Sequence, residues 1–295
     1  MTTIDRCPVC SGTHLKDLYS CKDYTVSHET FQIKICGSCA LGITTPRPDS
    51  EKLDQYYLSD EYISHSGNTT GIVGSLYRTA RKITLGWKQK LVESMISNKN
   101  RSILDFGCGT GEFLLTMKKR GWTIAGVEPS NLAREKANNL LGITTLQSFK
   151  DLGKNNFSAI TLWHVLEHVP NLNETLTTFH QLIDKRGALF VAVPNYQSPD
   201  AEHYKQYWAG FDVPRHLWHF SKESMTQLLN SNGFELVAIK SMILDSFYIS
   251  LLSEKYQGNP GYMQYLNGFL NGLKSNSKAR KKTNFSSLIY IARSK

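Results

Sequence analysis

Residues 103–114 read ILDFGCGTGEFL, and residues 126–128 read GVE. The first stretch is typical of an apolar strand that runs through a glycine-rich turn into a helix, and the second ends another strand in an acidic residue. Together they form the first βαβ unit of a nucleoside-binding α/β sheet. In such a unit the terminal acid, here Glu128, accepts hydrogen bonds from ribose hydroxyl groups.

Two features separate this unit from a dinucleotide-binding site. Its glycines follow the spacing G-x-G-x-G, whereas the dinucleotide fingerprint is G-x-G-x-x-G. Asp105 also lies at the end of the strand, where a pyrophosphate would rest against the helix N-terminus, and two negative charges would repel each other there. A ligand that combines adenosine with positive charge is compatible with Asp105. S-adenosylmethionine, with its sulfonium and amino groups, is such a ligand.

These residues resemble the nucleoside-binding motifs of class I methyltransferases. The resemblance implies that Glu128 binds the ribose of S-adenosylmethionine and that its methionine part is held by Asp105, Gly107, Gly109 and Gly111. Residues 162–169, LWHVLEHV, resemble the segment that follows the fourth strand in the same superfamily. That match implies that His164 lines the site beside the sulfonium, whereas we assign His168 to the structure of the turn.

The rest of the chain from residue 101 alternates between strands and helices. Apolar runs predict seven strands, near residues 102–106, 122–128, 143–147, 157–163, 188–194, 234–240 and 286–292. Helical spacing predicts helices near residues 111–120, 130–141, 171–184 and 221–232. This rhythm indicates an α/β fold with a doubly wound, seven-stranded, mostly parallel sheet, whose ligand crevice lies at the carboxyl ends of the strands.

Composition shifts divide the chain into three parts. We expect a zinc-ribbon-like module at residues 1–45, a linker and helical lid segment at 46–100, and the S-adenosylmethionine-binding methyltransferase domain at 101–295, with an insertion at 241–284. The lid expectation rests on a resemblance to the N-terminal lid segments of these enzymes, carried by Tyr56, Tyr57, Tyr62 and His65.

The N-terminal module is expected to hold a structural zinc ion. Its two C-x-x-C pairs, separated by 25 residues, are Cys7 with Cys10 and Cys36 with Cys39. Zinc takes four tetrahedral ligands, and four thiolates leave no open position for catalysis. The ion would therefore fold a segment too small to bury its own core. The alternative is a reduced segment without metal.

A second candidate region is the loop that follows the fifth strand. Residues 208–221 read WAGFDVPRHLWHFS, which is unusually rich in aromatic, His, Arg and Asp residues for a connection. The segment resembles the acceptor side of bacterial enzymes related to the quinone-biosynthesis O-methyltransferases. We assign His216 as a base or acceptor anchor and Arg215 as a contact for an anionic group. The alternative is a network of Arg, His and Asp that only orders the loop.

The net charge of +9 comes from one end of the chain. Beyond Glu254 there are eight basic residues and no acidic one, and removing these eight from the 34 basic residues leaves 26 against 25 acidic ones. Residues 1–45 carry four acidic and four basic side chains. An RNA-binding zinc module would present a basic face, so a nucleic-acid partner is not expected.

The insertion at 241–284 allows two interpretations. It can be a helix packed on the domain with a solvated basic end, or a lid or interfacial helix in peripheral contact with a membrane, where it would receive an amphiphilic or anionic substrate. The first residues of the chain contain no apolar signal-peptide core, so we expect a cytoplasmic protein with reduced cysteines.

These features favour an enzyme that transfers a methyl group from S-adenosylmethionine to a small-molecule, sugar-linked or lipid-linked acceptor. The cysteine module with its following tyrosines also resembles the zinc module of certain sugar C-methyltransferases. Two alternatives are an RNA methyltransferase and a non-catalytic interaction protein built on a zinc module.

Overall fold

The computed structural model describes residues 1–57, 72–97, 101–152, 156–259 and 261–295. The strands are β1 Leu15–Lys22, β2 Thr30–Cys36, β3 Gly42–Thr44, β4 Ser102–Phe106, β5 Thr123–Val127, β6 Phe157–Trp163, β7 Ile183–Pro194, β8 Trp218–His219, β9 Phe234–Ser241 and β10 Ser287–Ser294. The α-helices are α1 Ile72–Met95, α2 Glu112–Lys118, α3 Asn131–Leu141, α4 Leu172–Leu182, α5 Pro199–Tyr204, α6 Lys222–Ser231, α7 Asp245–Tyr256 and α8 Gly261–Ala279. Short 3₁₀ turns include Ser50–Tyr57, Leu166–His168 and Arg280–Lys282.

The main sheet has six strands in the order β5-β4-β6-β7-β10-β9. Strands β4 to β7 are parallel, whereas β10 pairs antiparallel with both β7 and β9. The five residues of β4 and residues 188–193 of β7 are all buried, which is the continuous apolar pattern of a sheet covered on both faces. The predicted α/β sheet is therefore confirmed in class and in its mostly parallel core.

The predicted number of seven strands is wrong for the described residues. The expected strand at 143–147 contributes only one parallel bridge, between Leu146 and Val127. The N–H of Leu146 donates to the carbonyl oxygen of Gly126, and the carbonyl oxygen of Leu146 accepts from the N–H of Glu128. On the other side of the segment, the side-chain oxygen of Asn138 accepts hydrogen bonds from both the backbone N–H and the hydroxyl of Thr145. That local contact satisfies the Thr145 N–H without a further strand.

A smaller sheet joins the N-terminal segment to the loop expected to contact the acceptor. Its order is β1-β2-β3-β8, and β8 comes from residues 218–219 of that loop. Gly42 and Ile43 of β3 pair antiparallel with His219 and Trp218. The boundary at residue 45 stays a prediction, but the N-terminal strands share a sheet with this later segment.

The insertion forms the helical hairpin α7–α8, which lies between β9 and β10 in the chain. None of the helices in the described residues combines the length and the hydrophobicity needed to cross a bilayer. Of the expected lid residues, Tyr62 and His65 lie outside the described residues, whereas Tyr56 and Tyr57 belong to the 3₁₀ turn Ser50–Tyr57.

Candidate active site

The glycine-rich turn connects β4 to α2 at the carboxyl edge of the sheet. Gly107, Gly109 and Gly111 have φ angles of 76°, 54° and 83°, which side chains rarely adopt. At Gly107 a Cβ atom would lie 2.5 Å from Cγ2 of Val165, so no side chain fits there. At Gly109 none of the described residues, apart from its two chain neighbours, places an atom within 4 Å of the Cβ position. The turn thus leaves open space at Gly109, where a ligand can approach the backbone closely.

Glu128 follows β5 and lies directly against this turn. Its Oε2 atom accepts a hydrogen bond of 2.8 Å from the backbone N–H of Gly109, and its Oε1 atom accepts one of 2.9 Å from Ser130 N–H. The sequence predicted that the acid and the glycine turn form one site. The structure brings the acid and the glycine turn into direct contact, which is the arrangement of a nucleoside-binding βαβ unit.

Asp105 is buried at the end of β4, with 2% of its surface exposed. Burial raises the pKa of its carboxyl to about 7, although a hydrogen bond of 2.6 Å from the Thr161 hydroxyl and the charge of Lys88 both lower it. A positively charged group bound beside Asp105 would favour its ionised form. The carboxyl is therefore suited to the sulfonium or amino group of S-adenosylmethionine.

His164 immediately follows β6 and is held between two carboxylates. Its Nε2 atom lies 3.0 Å from Oδ2 of Asp245, and its Nδ1 atom lies 3.5 Å from Oε1 of Glu167. Burial lowers the pKa of His164, but hydrogen bonds to these two carboxylates outweigh it and raise the pKa to about 9. His164 is therefore an imidazolium at neutral pH. Asp245, the first residue of α7, carries no sequence signal that would have identified this role.

His216 belongs to a cluster with Glu167 and His168. Nδ1 of His216 lies 2.9 Å from the carbonyl oxygen of Gly210, and Nδ1 of His168 lies 3.0 Å from that of Arg215. Because a carbonyl only accepts, both Nδ1 atoms carry the proton and both Nε2 atoms are left as acceptors in the neutral rings. One ligating atom from each of the three side chains lies within 4.8 Å of the others.

The charges in this cluster are unequal. Burial, reinforced by the nearby His216, lowers the pKa of His168 to about 4, so His168 stays neutral. Burial raises the pKa of Glu167, but the protonated His164 beside it outweighs burial and lowers the pKa, which keeps the carboxylate ionised. Glu167 is only 1% exposed, and neither of its oxygens has a hydrogen bond of good geometry in the described part of the chain. The sequence did not single out Glu167, whose signal is its position beside His168 just after a central strand.

Arg215 is occupied by contacts within the protein. Its guanidinium forms ion pairs of 2.6 Å with Asp212 and 3.1 Å with Asp23, and it donates a hydrogen bond to the carbonyl oxygen of Tyr56. The side chain is 1% exposed. These contacts join the acceptor loop to the N-terminal segment, and they favour the alternative that Arg215 orders the loop over the prediction that it binds a substrate anion.

The four predicted zinc ligands converge at the end of the smaller sheet. The Sγ atoms of Cys7, Cys10, Cys36 and Cys39 all lie within 4.8 Å of one another, with 3.5 Å between Cys7 and Cys39 and 3.4 Å between Cys10 and Cys36. Tetrahedral coordination with Zn–S bonds of about 2.3 Å requires sulfur atoms about 3.8 Å apart. The cluster therefore fits a zinc ion, and its four thiols close the coordination sphere.

The family described as "Methyltransferase domain" matches residues 79–239, which is more than half of the chain. This range contains the glycine turn, Glu128, the Glu167 cluster and His216.

Curated relatives with similar sequences are ubiquinone biosynthesis O-methyltransferases. The protein from Coxiella burnetii is 31% identical over 114 residues, covering 36% of this chain and 49% of the relative. The protein from Bartonella tribocorum is 32% identical over 111 residues, covering 35% of this chain and 44% of the relative. The chain thus spans about half the length of the curated relatives it matches.

A similar solved structure is magnesium protoporphyrin IX methyltransferase from Synechocystis PCC 6803 with bound SAH. The TM-score is 0.52 at 14% sequence identity, and the match covers 84% of this chain and 100% of that one. At this identity the likeness concerns the fold, and it confirms the predicted Rossmann-like methyltransferase architecture.

Proposed function

Because this chain belongs to the methyltransferase domain family, we propose that it transfers a methyl group from S-adenosylmethionine to a hydroxyl group of a small-molecule acceptor. The observation that carries the proposal is the contact of 2.8 Å between Glu128 and the Gly109 amide, because an acid beside the glycine turn of a βαβ unit is in the position from which it would bind ribose. The hydroxyl acceptor is supported by the similarity to O-methyltransferases.

The cofactor would be held by the residues at the carboxyl ends of β4 and β5. Glu128 is positioned for the ribose, and Asp105 for a cationic group beside the turn formed by Gly107, Gly109 and Gly111. When bound, S-adenosylmethionine supplies an electrophilic methyl group on a sulfonium. The protein contributes alignment of the two reactants and exclusion of water.

His216 is the proposed base. Its Nε2 atom has a free lone pair in the neutral tautomer, and it lies 3.9 Å from Oδ2 of Asp212 and beside the ionised Glu167. These two carboxylates would stabilise the imidazolium that forms when the acceptor hydroxyl loses its proton to Nε2. The acceptor oxygen would bond to the methyl carbon as the carbon–sulfur bond breaks.

His164 would act by charge and not by proton transfer. Asp245 and Glu167 keep it protonated, so it has no lone pair to offer as a base. The positive charge of an imidazolium at the end of β6 would instead favour the deprotonated form of the acceptor oxygen. The zinc ion on Cys7, Cys10, Cys36 and Cys39 would be structural.

Two measurements on the full chain test this proposal. Calorimetric titration should show binding of S-adenosylmethionine, and its absence would contradict the cofactor assignment. His216→Asn should lower kcat about 10²- to 10⁴-fold with phenolic or sugar hydroxyl acceptors while cofactor binding stays unchanged. The exposed His203, on α5, provides the matched control His203→Asn, which should keep full activity. If both variants behave alike, His216 is not the base.

A further inference from the structure

The hairpin α7–α8 buries its polar and small residues. The buried residues of α8 are Gly268, Gly272, Ser275, Asn276 and Ala279, and those of α7 are Ser246, Ile249, Ser250, Ser253 and Glu254. An ordinary surface helix shows the opposite pattern, with large apolar residues turned towards the core. In α8 the inward face consists of small and polar residues.

Specific contacts fix this orientation. The Ser275 hydroxyl donates a hydrogen bond of 2.6 Å to Asp200, and the Asn271 side chain donates one of 2.9 Å to Glu254. At Gly268 a Cβ atom would lie 2.8 Å from the Cα atom of Leu251, so α8 approaches the backbone of α7 too closely for a larger residue. Rotation of α8 about its axis would break these contacts.

The large side chains of α8 consequently point to solvent. Tyr262 is 78% exposed and Phe269 is 56% exposed, and the same surface carries four further residues that are at least 41% exposed, namely Tyr265, Leu266, Leu270 and Leu273. Residues 262, 266, 269 and 273 follow helical spacing and form one stripe. We call this stripe the outer face of α8. Soluble proteins rarely leave such a contiguous apolar surface without a binding partner.

Positive charge surrounds one end of the outer face. Lys274 and Lys278 are exposed on α8 itself, and Arg280, Lys281 and Lys282 are exposed in the 3₁₀ turn that follows. No acidic residue occurs after Glu254. Aromatic and leucine side chains next to a cluster of lysines are the composition of helices that lie in the interface of an anionic membrane.

We propose that the outer face of α8, with the basic turn Arg280–Lys282, binds the surface of an anionic lipid bilayer. Tyr262, Leu266 and Phe269 would enter the boundary between headgroups and acyl chains, while the lysines contact the lipid phosphates. The apolar residues supply adhesion, and the charge complementarity selects anionic over zwitterionic lipid. This binding surface does not depend on the methyl-transfer reaction.

Co-sedimentation with lipid vesicles tests the proposal. The full chain should bind vesicles that contain phosphatidylglycerol in phosphatidylcholine. It should bind pure phosphatidylcholine at least tenfold more weakly, and its affinity should fall as salt rises.

Two double variants separate the charged part of the surface from the apolar part. Lys281→Glu with Lys282→Glu should weaken binding about tenfold or more, whereas the same change of charge at exposed Lys185 and Arg186 should not. Tyr262→Gln with Leu266→Gln should abolish binding, whereas Ile83→Gln with Leu132→Gln, two exposed apolar sites on other helices, should not.

Cofactor titration separates this proposal from the proposed function. The double variant of α8 and the double variant of the basic turn should both bind S-adenosylmethionine as the unchanged chain does. Failure to bind phosphatidylglycerol vesicles, or equal losses in the control variants, would overturn the membrane proposal. It would also be wrong if sedimentation velocity shows a dimer that Tyr262→Gln with Leu266→Gln converts to a monomer, because a second copy would then cover the outer face.

Discussion

Asp105 and His164 show how burial and pairing set the charges at the carboxyl edge of the sheet. Both side chains lie at ends of adjacent parallel strands, β4 and β6. Burial dominates for Asp105 and raises its pKa, whereas two carboxylates dominate for His164 and keep it protonated. The site therefore holds one carboxyl that titrates near neutral pH and one fixed cation.

We predict that the affinity for S-adenosylmethionine falls as pH drops below about 7. The proton on Asp105 and the cationic cofactor compete for the same carboxylate, and the pKa of that carboxyl is about 7 in the free protein. Affinity should be constant above pH 8 and should decrease by at most about tenfold per pH unit below pH 7. Calorimetric titration between pH 5.5 and 8.5 measures this dependence.

Asp105→Asn is the control for this pH dependence. The amide cannot ionise, so the variant should bind more weakly at pH 8 and show a flatter dependence on pH. A wild-type affinity that does not change between pH 5.5 and 8.5 would contradict the assignment of Asp105 to the cofactor cation.

The two glycines at 107 and 109 should respond differently to the same substitution. Gly107→Ala places a Cβ atom 2.5 Å from Val165 and should prevent stable folding. Gly109→Ala meets no atom of the other described residues beyond its chain neighbours, and it should cost only about 1–2 kcal/mol for its left-handed backbone. We therefore expect a folded Gly109→Ala protein that fails to bind S-adenosylmethionine. Thermal melting and calorimetric titration of both variants check this, and normal cofactor binding by Gly109→Ala would refute it.

Single residues were predictable where a motif fixes their chemistry. The glycine turn and Glu128 come together as expected because their spacing is set by one local βαβ unit. Arg215 shows the limit, since its role depends on Asp23, which lies 192 residues away in the chain. Asp245 was missed for the same reason, because it lies 81 residues from His164 in the chain. Glu167 was missed although it lies only three residues from His164, because the motif drew attention to the histidines on either side of it.

At the level of elements, strands buried on both faces were predicted well. Strands β4 and β6 are buried along nearly their whole length, and their positions agree with the expected 102–106 and 157–163. Strand β7 ends at 194 as expected but begins at Ile183, before the predicted start at 188, because its first part carries charged residues. In the segment 143–147 only Leu146 pairs with β5, whereas the neighbouring Thr145 bonds to the side chain of Asn138. The pairing of β8 was not foreseen, since a strand of two residues carries no periodic pattern.

At the scale of the whole molecule, zinc removal should affect acceptor turnover more than cofactor binding. The cysteine cluster supports the sheet that contains β3, and β3 pairs with β8 in the loop that carries His216. The glycine turn belongs to the other sheet. We expect about one zinc ion per chain. Cys39→Ser should lower the melting temperature, and it should lower the turnover rate at least tenfold. The affinity for S-adenosylmethionine should change much less.

Elemental analysis, thermal melting and calorimetric titration measure these effects. Cys21→Ser is the matched control, because Cys21 is a buried thiol outside the cluster and its variant should keep the metal. Purified protein without zinc but with full thermal stability would contradict the structural role of the metal.

The short strand β8 also limits how this chain can be divided or recombined. Removal of residues 1–45 would not leave an independent unit, because the remaining enzyme would have an unpaired strand edge at Trp218 and His219. A loop grafted from another enzyme to change acceptor preference must supply a partner for Gly42 and Ile43. Substrate range and metal-binding module are therefore expected to be inherited together, as one exchangeable part.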